Sequence, residues 1–247
     1  HELLRREDVD AVVLALPNWL HAEPAIAAAH EGKHIMLQKP MATNLRDCDR
    51  MIEAAGSAKV KLIPIFMWRF RDDVEFAKRL IDQGLVGEVL TLRAQFGHTG
   101  AYGAWFYDSK KSGGGALLDL GVHHVDVLRW LAGDVRSVMA MTATHRKERT
   151  LPDGSQLRDI SVEDDALCLL RFRSDALGTL ASSWTQKAGF QGLEIYGSHG
   201  TVILDARIGE LKLYSDKAIP EEMRTRALPF GIDVSGPRLS FTMQQLY

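Results

Sequence analysis

The fold is decided first by the run Val9-Asp10-Ala11-Val12-Val13-Leu14-Ala15-Leu16, which ends at Pro17-Asn18. A continuous apolar run rich in β-branched residues is typical of a strand that is buried on both faces of a parallel sheet. Two more strand patterns alternate with two helical patterns, so residues 1–66 predict a βαβαβ unit. The predicted strands are residues 9–16, 34–37 and 60–66, and the predicted helices are residues 23–31 and 45–55.

The pattern changes after about Arg69. A helix pattern and a long strand pattern are followed by an aromatic loop and a second helix pattern that ends at Gly133. Short strand-like runs then recur, separated by turn signals such as Pro152-Asp153-Gly154. These features predict an open, mostly antiparallel sheet as a second domain. Its predicted strands are residues 89–96, 135–144, 166–172, 176–184, 193–196, 201–204 and 211–214, and its helices are residues 72–83 and 122–133.

The composition excludes several classes of function. The 247 residues carry a net charge of −2, which does not favour nucleic acid or an anionic membrane as a partner. No apolar run approaches the roughly 20 residues that span a bilayer. The two cysteines, Cys48 and Cys168, have no metal-ligand spacing, and we interpret them as reduced thiols of a cytoplasmic protein.

Two short motifs bring groups suited to alcohol–carbonyl chemistry. Gln38-Lys39-Pro40 follows a predicted strand, at the sheet edge where ligand crevices form. Residues 113–126 begin with three glycines and place Asp119 and His123 four residues apart, on one face of a helix that begins by Asp119. A lysine that polarises an oxygen, a histidine that moves a proton and an aspartate that orients them would form a catalytic set. The alternatives are a plain strand end for Lys39, a helix N-cap for Asp119 and a satisfied core histidine for His123.

Five segments, in this order, resemble the Gfo/Idh/MocA family of oxidoreductases, which includes glucose–fructose oxidoreductase and inositol dehydrogenase. They are residues 10–21, 32–42, 84–89, 113–126 and 192–201. The resemblance implies that residues 1–66 are the C-terminal part of a dinucleotide-binding Rossmann domain with a parallel sheet. It implies that residues 67–247 form a substrate-binding and oligomerisation domain, C-terminally truncated, around an open, mostly antiparallel sheet. The implied activity is hydride transfer between NAD or NADP and a sugar, polyol or related hydroxyl compound.

The resemblance also assigns roles to individual residues. It implies catalytic roles for Lys39, Asp119 and His123, and substrate contacts for Arg69, Trp105 and Tyr107. The alternatives are a surface salt bridge for Arg69 and ordinary packing for the two rings. The residues implied to bind the cofactor are Leu16, Pro17, Asn18, His21, Gln38, Lys39 and Pro40, with Pro40 in a cis bond. No metal is expected, because adjacent histidines on a helix point apart.

The chain departs from the family pattern in two respects. It contains no strand followed by a Gly-x-Gly-x-x-Gly turn, which would hold the pyrophosphate through backbone N–H groups, and it stops early at its C-terminus. We therefore expect an internal fragment of a longer enzyme that alone binds dinucleotide weakly. Gln38 stands where the family usually has Glu, which removes a negative charge beside Lys39 and predicts a small shift in activity or its pH profile.

Some alternatives remain at this point. The same fold would also suit an NAD-dependent glycoside hydrolase or lyase, or a non-catalytic scaffold, although the retained Lys39, Asp119 and His123 favour an enzyme. One uncovered sheet face predicts a homodimer or homotetramer. The acidic run Glu163-Asp164-Asp165 is interpreted as a solvated entry to a strand.

Overall fold

A computed structural model describes residues 2–222 and the backbone of residues 238–242. The chain forms two compact units. Unit 1 consists of His1–Phe66, Gly100–Val122 and Ala143–Asp164, and unit 2 consists of Met67–Thr99, His123–Thr142 and Asp165–Tyr247. The first segment of unit 1 ends where the sequence places a domain boundary, but two later segments also belong to unit 1. Part of the predicted second domain, residues 223–237 and 243–247, lies outside the described residues.

Unit 1 is built on a three-stranded parallel sheet in the order β1-β2-β3. The two crossover helices are those that the apolar runs predict, and Asn44 caps the second by accepting a 2.9 Å hydrogen bond from the Asp47 amide. The elements are β1 (Ala11–Leu14), α1 (Ala22–His30), β2 (His34–Gln38), α2 (Leu45–Ala58) and β3 (Leu62–Ile65).

The core of unit 1 lies on one face of this sheet. Val12, Ile35 and Leu37 are buried in a cluster with the small side chains of α1, such as Ala28, and with Met51 of α2. The next residues along the strands point the other way, and Val13 is 65% exposed. The prediction that β1 is buried on both faces is therefore wrong for the described residues, because α1 and α2 both pack in the cluster on one face.

Two later segments of unit 1 contribute short elements. They are α4 (Ser109–Ser112), a π-helical turn (Leu117–Gly121) that leads into α5 (Val122–Ala132), and the hairpin of β6 (Arg149–Thr150) and β7 (Gln156–Leu157). The predicted turn at Pro152-Asp153-Gly154 closes this hairpin, with the Gly154 amide donating to the Leu151 carbonyl. A buried ion pair between Arg149 and Asp164, 3.0 Å apart, holds the hairpin to the end of its segment.

Unit 2 contains an eight-stranded sheet in the order β13-β12-β11-β10-β4-β9-β8-β5. β4 and β9 pair in parallel, whereas the pairs β4–β10, β10–β11, β11–β12, β12–β13 and β8–β9 are antiparallel, which confirms the predicted sheet class. The strands are β4 (Val89–Gly97), β5 (Val135–Ala143), β8 (Asp165–Phe172), β9 (Leu177–Ser183), β10 (Gly192–Gly197), β11 (Gly200–Asp205), β12 (Glu210–Ser215) and β13 (Arg238–Thr242), and the helices are α3 (Asp72–Asp82) and α5 (Val122–Ala132).

The two faces of this sheet differ. Residues on β8 alternate strictly, so that Ala166 and Cys168 are buried while Leu167 and Leu169 are exposed. Leu177 on the neighbouring strand β9 is also exposed. The exposed apolar residues of β8 and β9 match the uncovered face that the sequence predicts.

Candidate active site

Lys39 and Asp119 form the central contact of the candidate site in unit 1. The Lys39 Nζ atom donates to the Asp119 carbonyl and to its carboxylate Oδ1, both at 2.7 Å. The two side chains are only 18% and 15% exposed. Lys39 directly follows β2, and the Lys39–Pro40 bond is cis, as expected. The sequence therefore identified two residues, 80 positions apart, that the fold brings into direct contact.

The position of Asp119 excludes the N-cap alternative. Asp119 lies within the π-helical turn, and its amide donates to the Gly115 carbonyl at 2.9 Å. An N-cap would precede the first hydrogen-bonded turn. π-Helical turns are rare and often occur at functional sites, so this geometry agrees with a functional role for the motif of residues 113–126.

Two of the three glycines before this turn are required by close contacts. Gly113 has a φ of +84°, and a Cβ there would lie 2.7 Å from the Thr43 Cα atom. A Cβ on Gly115 would collide with the Glu163 carbonyl oxygen. Thr43 lies four residues after Lys39. Gly113 therefore packs against the segment that carries the lysine.

Glu163 is not the solvated residue that the sequence predicts. Its carboxylate accepts hydrogen bonds from the Gly115 and Leu117 amides at 2.9 and 3.0 Å, and its carbonyl accepts from the Ala116 amide at 3.1 Å. The next residue, Asp164, is 1% exposed and accepts from the backbone amides of His145 and Arg146. Both acidic residues were misread, because their partners lie far away in sequence.

His21 connects the loops that follow β1 and β2. It is fully buried, with Nε2 2.7 Å from the Leu16 carbonyl oxygen and Nδ1 3.0 Å from the Pro40 carbonyl oxygen. Because a neutral imidazole donates only one hydrogen, both contacts are hydrogen bonds only when the ring is protonated. The predicted contact of His21 with a cofactor stays a prediction, while its direct contacts are with the two loops.

Two other predicted cofactor residues also have hydrogen bonds in unit 1. The buried Asn18 side chain donates to the Ser112 carbonyl at 2.8 Å. The Gln38 Oε1 atom accepts from the Lys39 amide at 3.0 Å. The Asn18 contact joins the loop after β1 to α4, and the Gln38 contact orients the backbone amide of Lys39 at the end of β2.

The aromatic residues of unit 1 divide into a buried and an accessible group. Tyr107 is 2% exposed and donates to the Ala101 carbonyl at 2.9 Å, so the packing alternative describes it. Burial raises the pKa of its hydroxyl, and the nearby Arg149 opposes this shift. Trp105 is partly exposed and meets Trp19 edge to face at 5.5 Å. Sequence reasoning missed Trp19, although it directly follows Pro17-Asn18.

Unit 2 contains His123, which is buried in an aromatic environment. Its ring is stacked on Trp68 with a centroid distance of 5.9 Å, and His124 meets the same Trp68 edge to face. This environment agrees with the core-histidine alternative and does not test the catalytic role.

Arg69 is paired with Asp126 within unit 2. The Arg69 Nε and one Nη atom each donate to a carboxylate oxygen of Asp126 at 2.7 Å. These hydrogen bonds raise the pKa of Arg69, against an opposing effect of burial. The guanidinium also lies over the Trp130 ring at 5.4 Å. The structure thus realises the salt-bridge alternative, and substrate contact by Arg69 stays a prediction.

Metal-binding clusters and membrane-spanning helices are both absent from the described part of the chain. Residues 2–222 contain no group of three His, Cys, Asp or Glu side chains placed to hold a metal ion. None of the helices in that same part is both long and apolar enough to cross a membrane.

Several known proteins are similar in sequence to most of this chain. Levoglucosan dehydrogenase of Pseudarthrobacter phenanthrenivorans is 29% identical over 240 residues, which cover 88% of this chain and 62% of that protein. Myo-inositol 2-dehydrogenase of Thermotoga maritima is 32% identical and covers 83% of this chain and 59% of its own length. A 2,7-anhydro-N-acetylneuraminate hydratase of Escherichia coli is 30% identical over 80% of this chain and 52% of its own length.

A solved structure is similar to this chain in fold. Levoglucosan dehydrogenase in complex with NADH superposes with a TM-score of 0.80 at 28% identity, covering 88% of this chain and 60% of that one. The chain therefore spans less than two thirds of the length of these relatives.

Two family models match the chain. Residues 1–66 match the oxidoreductase family model with an NAD-binding Rossmann fold, and residues 74–203 match the GFO/IDH/MocA C-terminal domain. Together with the paired Lys39 and Asp119 and the two sheets, these matches show that the chain belongs to the GFO/IDH/MocA family of oxidoreductases.

Proposed function

We propose that the whole protein is an NAD(P)-dependent oxidoreductase that acts on a CH–OH group of a sugar, a polyol or a related compound. The observation that carries this proposal is the contact of Lys39 with both the carbonyl and the carboxylate of Asp119. It is supported by the dehydrogenase relatives, whose names include a sugar anhydride and an inositol as substrates.

Lys39 would hold the substrate oxygen. An ammonium group has three hydrogens, two of which are directed at Asp119, and we assign the third to the substrate hydroxyl. As that hydroxyl is oxidised, negative charge develops on its oxygen, and the fixed positive charge of Lys39 stabilises it. Asp119 keeps the ammonium oriented, so that little reorganisation is needed during the reaction.

His123 would accept the hydroxyl proton as a general base. Imidazole changes its protonation state near neutral pH, which suits a group that must take up and later release a proton. Trp68 stacks on the His123 ring and fixes its orientation. We assign the accessible rings of Trp105 and Trp19 to a wall beside the substrate, and the remaining Nη group of Arg69 to a substrate oxygen.

The residues at the strand ends fit the nicotinamide side of a dinucleotide. The carboxyl ends of adjacent parallel strands form the ligand crevice of α/β sheets, and His21 holds the Leu16 and Pro40 backbone together there. Pro17 and Asn18 follow β1, and Gln38 is the last residue of β2. When bound, the nicotinamide supplies the hydride acceptor or donor. The choice between NAD and NADP stays open.

The test is a screen of sugars and polyols with NAD and NADP, with the full-length protein that contains this chain. Lys39→Met and His123→Asn should each lower turnover by about 10²–10⁴-fold. Lys59→Met is the matched control, because Lys59 is an exposed lysine at the end of α2. Near-normal turnover in both active-site variants would refute the proposed roles.

A second candidate is a lyase, hydrolase or hydratase that oxidises its substrate only transiently. One observation favours it, namely the hydratase among the relatives. Release of product without net formation of NADH would identify this second activity. A non-catalytic scaffold is disfavoured, because the Lys39–Asp119 contact is intact.

We also infer a homodimer or homotetramer that buries the apolar face of β8 and β9. Leu167, Leu169 and Leu177 are each more than half exposed on that face. Leu169→Lys should lower the mass measured by light scattering to that of a monomer, whereas Leu45→Lys, at an exposed leucine of α2, should not. A cytoplasmic location agrees with the free Cys48 and Cys168, and cell fractionation tests it.

A further inference from the structure

We propose that Glu163 is a positioning residue for the catalytic lysine: it holds the start of the Asp119 turn from a distant part of the chain. For its effect on turnover, this inference rests on the proposed role of Lys39. Its geometric part concerns unit 1 alone and does not require that the protein has any particular activity.

The first step is the unusual source of the helix cap. The first N–H groups of a helix have no partner within it, and a neighbouring side chain ordinarily accepts from them. At this turn the N-cap position is Ala116, which has no side chain able to do so. Glu163 takes over that function, with one carboxylate oxygen on the Gly115 amide and the other on the Leu117 amide. Its carbonyl accepts from the Ala116 amide between them.

The second step is the absence of space at this contact. The Glu163 carbonyl lies so near Gly115 that a Cβ atom could not be added there. Three hydrogen bonds to consecutive amides and a close backbone contact therefore define the position of Gly115 relative to Glu163. A carboxylate at the beginning of a helical segment is also favoured by the helix dipole.

The third step connects Gly115 to the lysine. The Gly115 carbonyl accepts from the Asp119 amide at 2.9 Å. Asp119 in turn accepts both hydrogen bonds from Lys39. Movement of Gly115 is thus passed to the two oxygens that orient the ammonium group. Positioning through such supporting contacts is expected where geometry must be kept within fractions of an ångström.

The neighbouring Asp164 contacts a different part of unit 1 from Glu163. Its carboxylate is directed at the amides of His145 and Arg146 and at the Arg149 guanidinium. Those contacts hold the β6–β7 segment, whereas those of Glu163 hold the Asp119 turn. We therefore expect Asp164 variants to lose stability, and Glu163 variants to change the environment of Lys39.

The experiment measures how fast Lys39 is modified by an amine reagent, relative to the exposed Lys59 in the same molecule, by peptide mass spectrometry. In the wild-type protein Lys39 is protected by its two hydrogen bonds and its low exposure. Glu163→Ala should raise the ratio of Lys39 to Lys59 labelling about fivefold, the factor that corresponds to one lost capping interaction. Glu163→Gln, which keeps the shape and one acceptor oxygen, should raise it about twofold.

Asp159→Asn is the matched control. Asp159 is exposed and lies four residues before Glu163, so its variant makes the same change of charge as Glu163→Gln. We expect no change in the labelling ratio for it. Where activity is measurable, Glu163→Ala should lower kcat with little change in KM, because the oriented ammonium acts on the developing charge.

An unchanged ratio in Glu163→Ala would overturn the proposal, and so would an equal rise at Lys39 and Lys59, which reports general loosening. If Glu163→Ala fails to fold, Glu163→Gln carries the same test. If labelling responds but no substrate is ever turned over, the positioning contact stands and the proposed oxidoreductase activity fails.

Discussion

Two ion pairs of the molecule have the same length but different chemistry. In unit 1, Lys39 donates to Asp119, and in unit 2, Arg69 donates to Asp126; each contact measures 2.7 Å. The Arg69 fork engages both oxygens of its carboxylate, which is the closed, bidentate arrangement. Lys39 engages a carbonyl and one carboxylate oxygen, and an ammonium group has a further hydrogen to give.

The difference teaches that an ion-pair distance alone does not identify a reactive group. The Arg69–Asp126 pair joins a short 3₁₀ turn, Met67–Phe70, to α5 within unit 2 and is backed by the Trp130 ring. The Lys39–Asp119 pair lies at the carboxyl end of a parallel strand and is supported by His21 on one side and Glu163 on the other. Supporting contacts of this kind keep a reactive group in a fixed position.

The largest expected effect separates the two aspartates. Asp119→Asn should lower turnover by about 10²-fold or more, because the Lys39 ammonium loses its charged partner and its orientation. Asp126→Asn should change turnover less than about tenfold and mainly reduce thermal stability. Steady-state kinetics of both variants, with their melting temperatures, check this. Equal losses of turnover in the two variants would remove the distinction between the pairs.

The next effect concerns the support of the Lys39 loop by His21. His21→Ala should lower the free energy of unfolding by about 2–3 kcal/mol, because the fully buried ring is removed and the Leu16 and Pro40 carbonyls lose their contacts with it. His30→Ala, at an exposed position of the adjacent α1, should stay within about 0.5 kcal/mol of wild type. Urea unfolding of both variants gives the comparison, and a His21→Ala protein as stable as His30→Ala would contradict this role.

Much of the fold was predictable because its signals are local. The strands of the first sheet and α1 and α2 follow from apolar periodicity, and Asn44 follows from its position before α2. The exposure of Val13 was not predictable in this way, since a continuous apolar run does not show which face a helix covers.

The site was predictable only in part. Lys39 and Asp119 were identified through short motifs, and the structure joins them. Glu163 was missed because its partners, Gly115 and Leu117, lie 48 and 46 residues earlier in the chain. Composition and periodicity describe such an acidic run as solvated, and only the tertiary fold brings it to the helix start.

A smaller effect comes from exchanging the two cations. Lys39→Arg should lower turnover by about tenfold or more, because a planar guanidinium does not reproduce the directions of an ammonium group. Arg69→Lys keeps a charge near Asp126 and should reduce stability by about 0.5–1 kcal/mol, since this pair is partly exposed. Because lysine lacks the second Nη group that is assigned to a substrate oxygen, the variant should raise KM and leave kcat nearly unchanged. Kinetics and urea unfolding of the two variants measure both quantities. A Lys39→Arg protein with wild-type turnover would show that the shape of the cation is unimportant at this site.

The smallest expected effect concerns Gln38, whose Oε1 atom accepts from the Lys39 amide. Glu has the same reach and can accept the same hydrogen bond, so Gln38→Glu should leave the strand end and the melting temperature unchanged. It adds a negative charge beside Lys39, and the pH profile of kcat/KM should shift by up to about one unit. Gln38→Glu in the presence of Arg69→Lys should show the same shift, because Arg69 belongs to the other pair. An unchanged profile in both backgrounds would mean that the charge at position 38 has no measurable electrostatic effect on the reacting group. Asp119 would then be the charged side chain that sets the environment of the Lys39 ammonium.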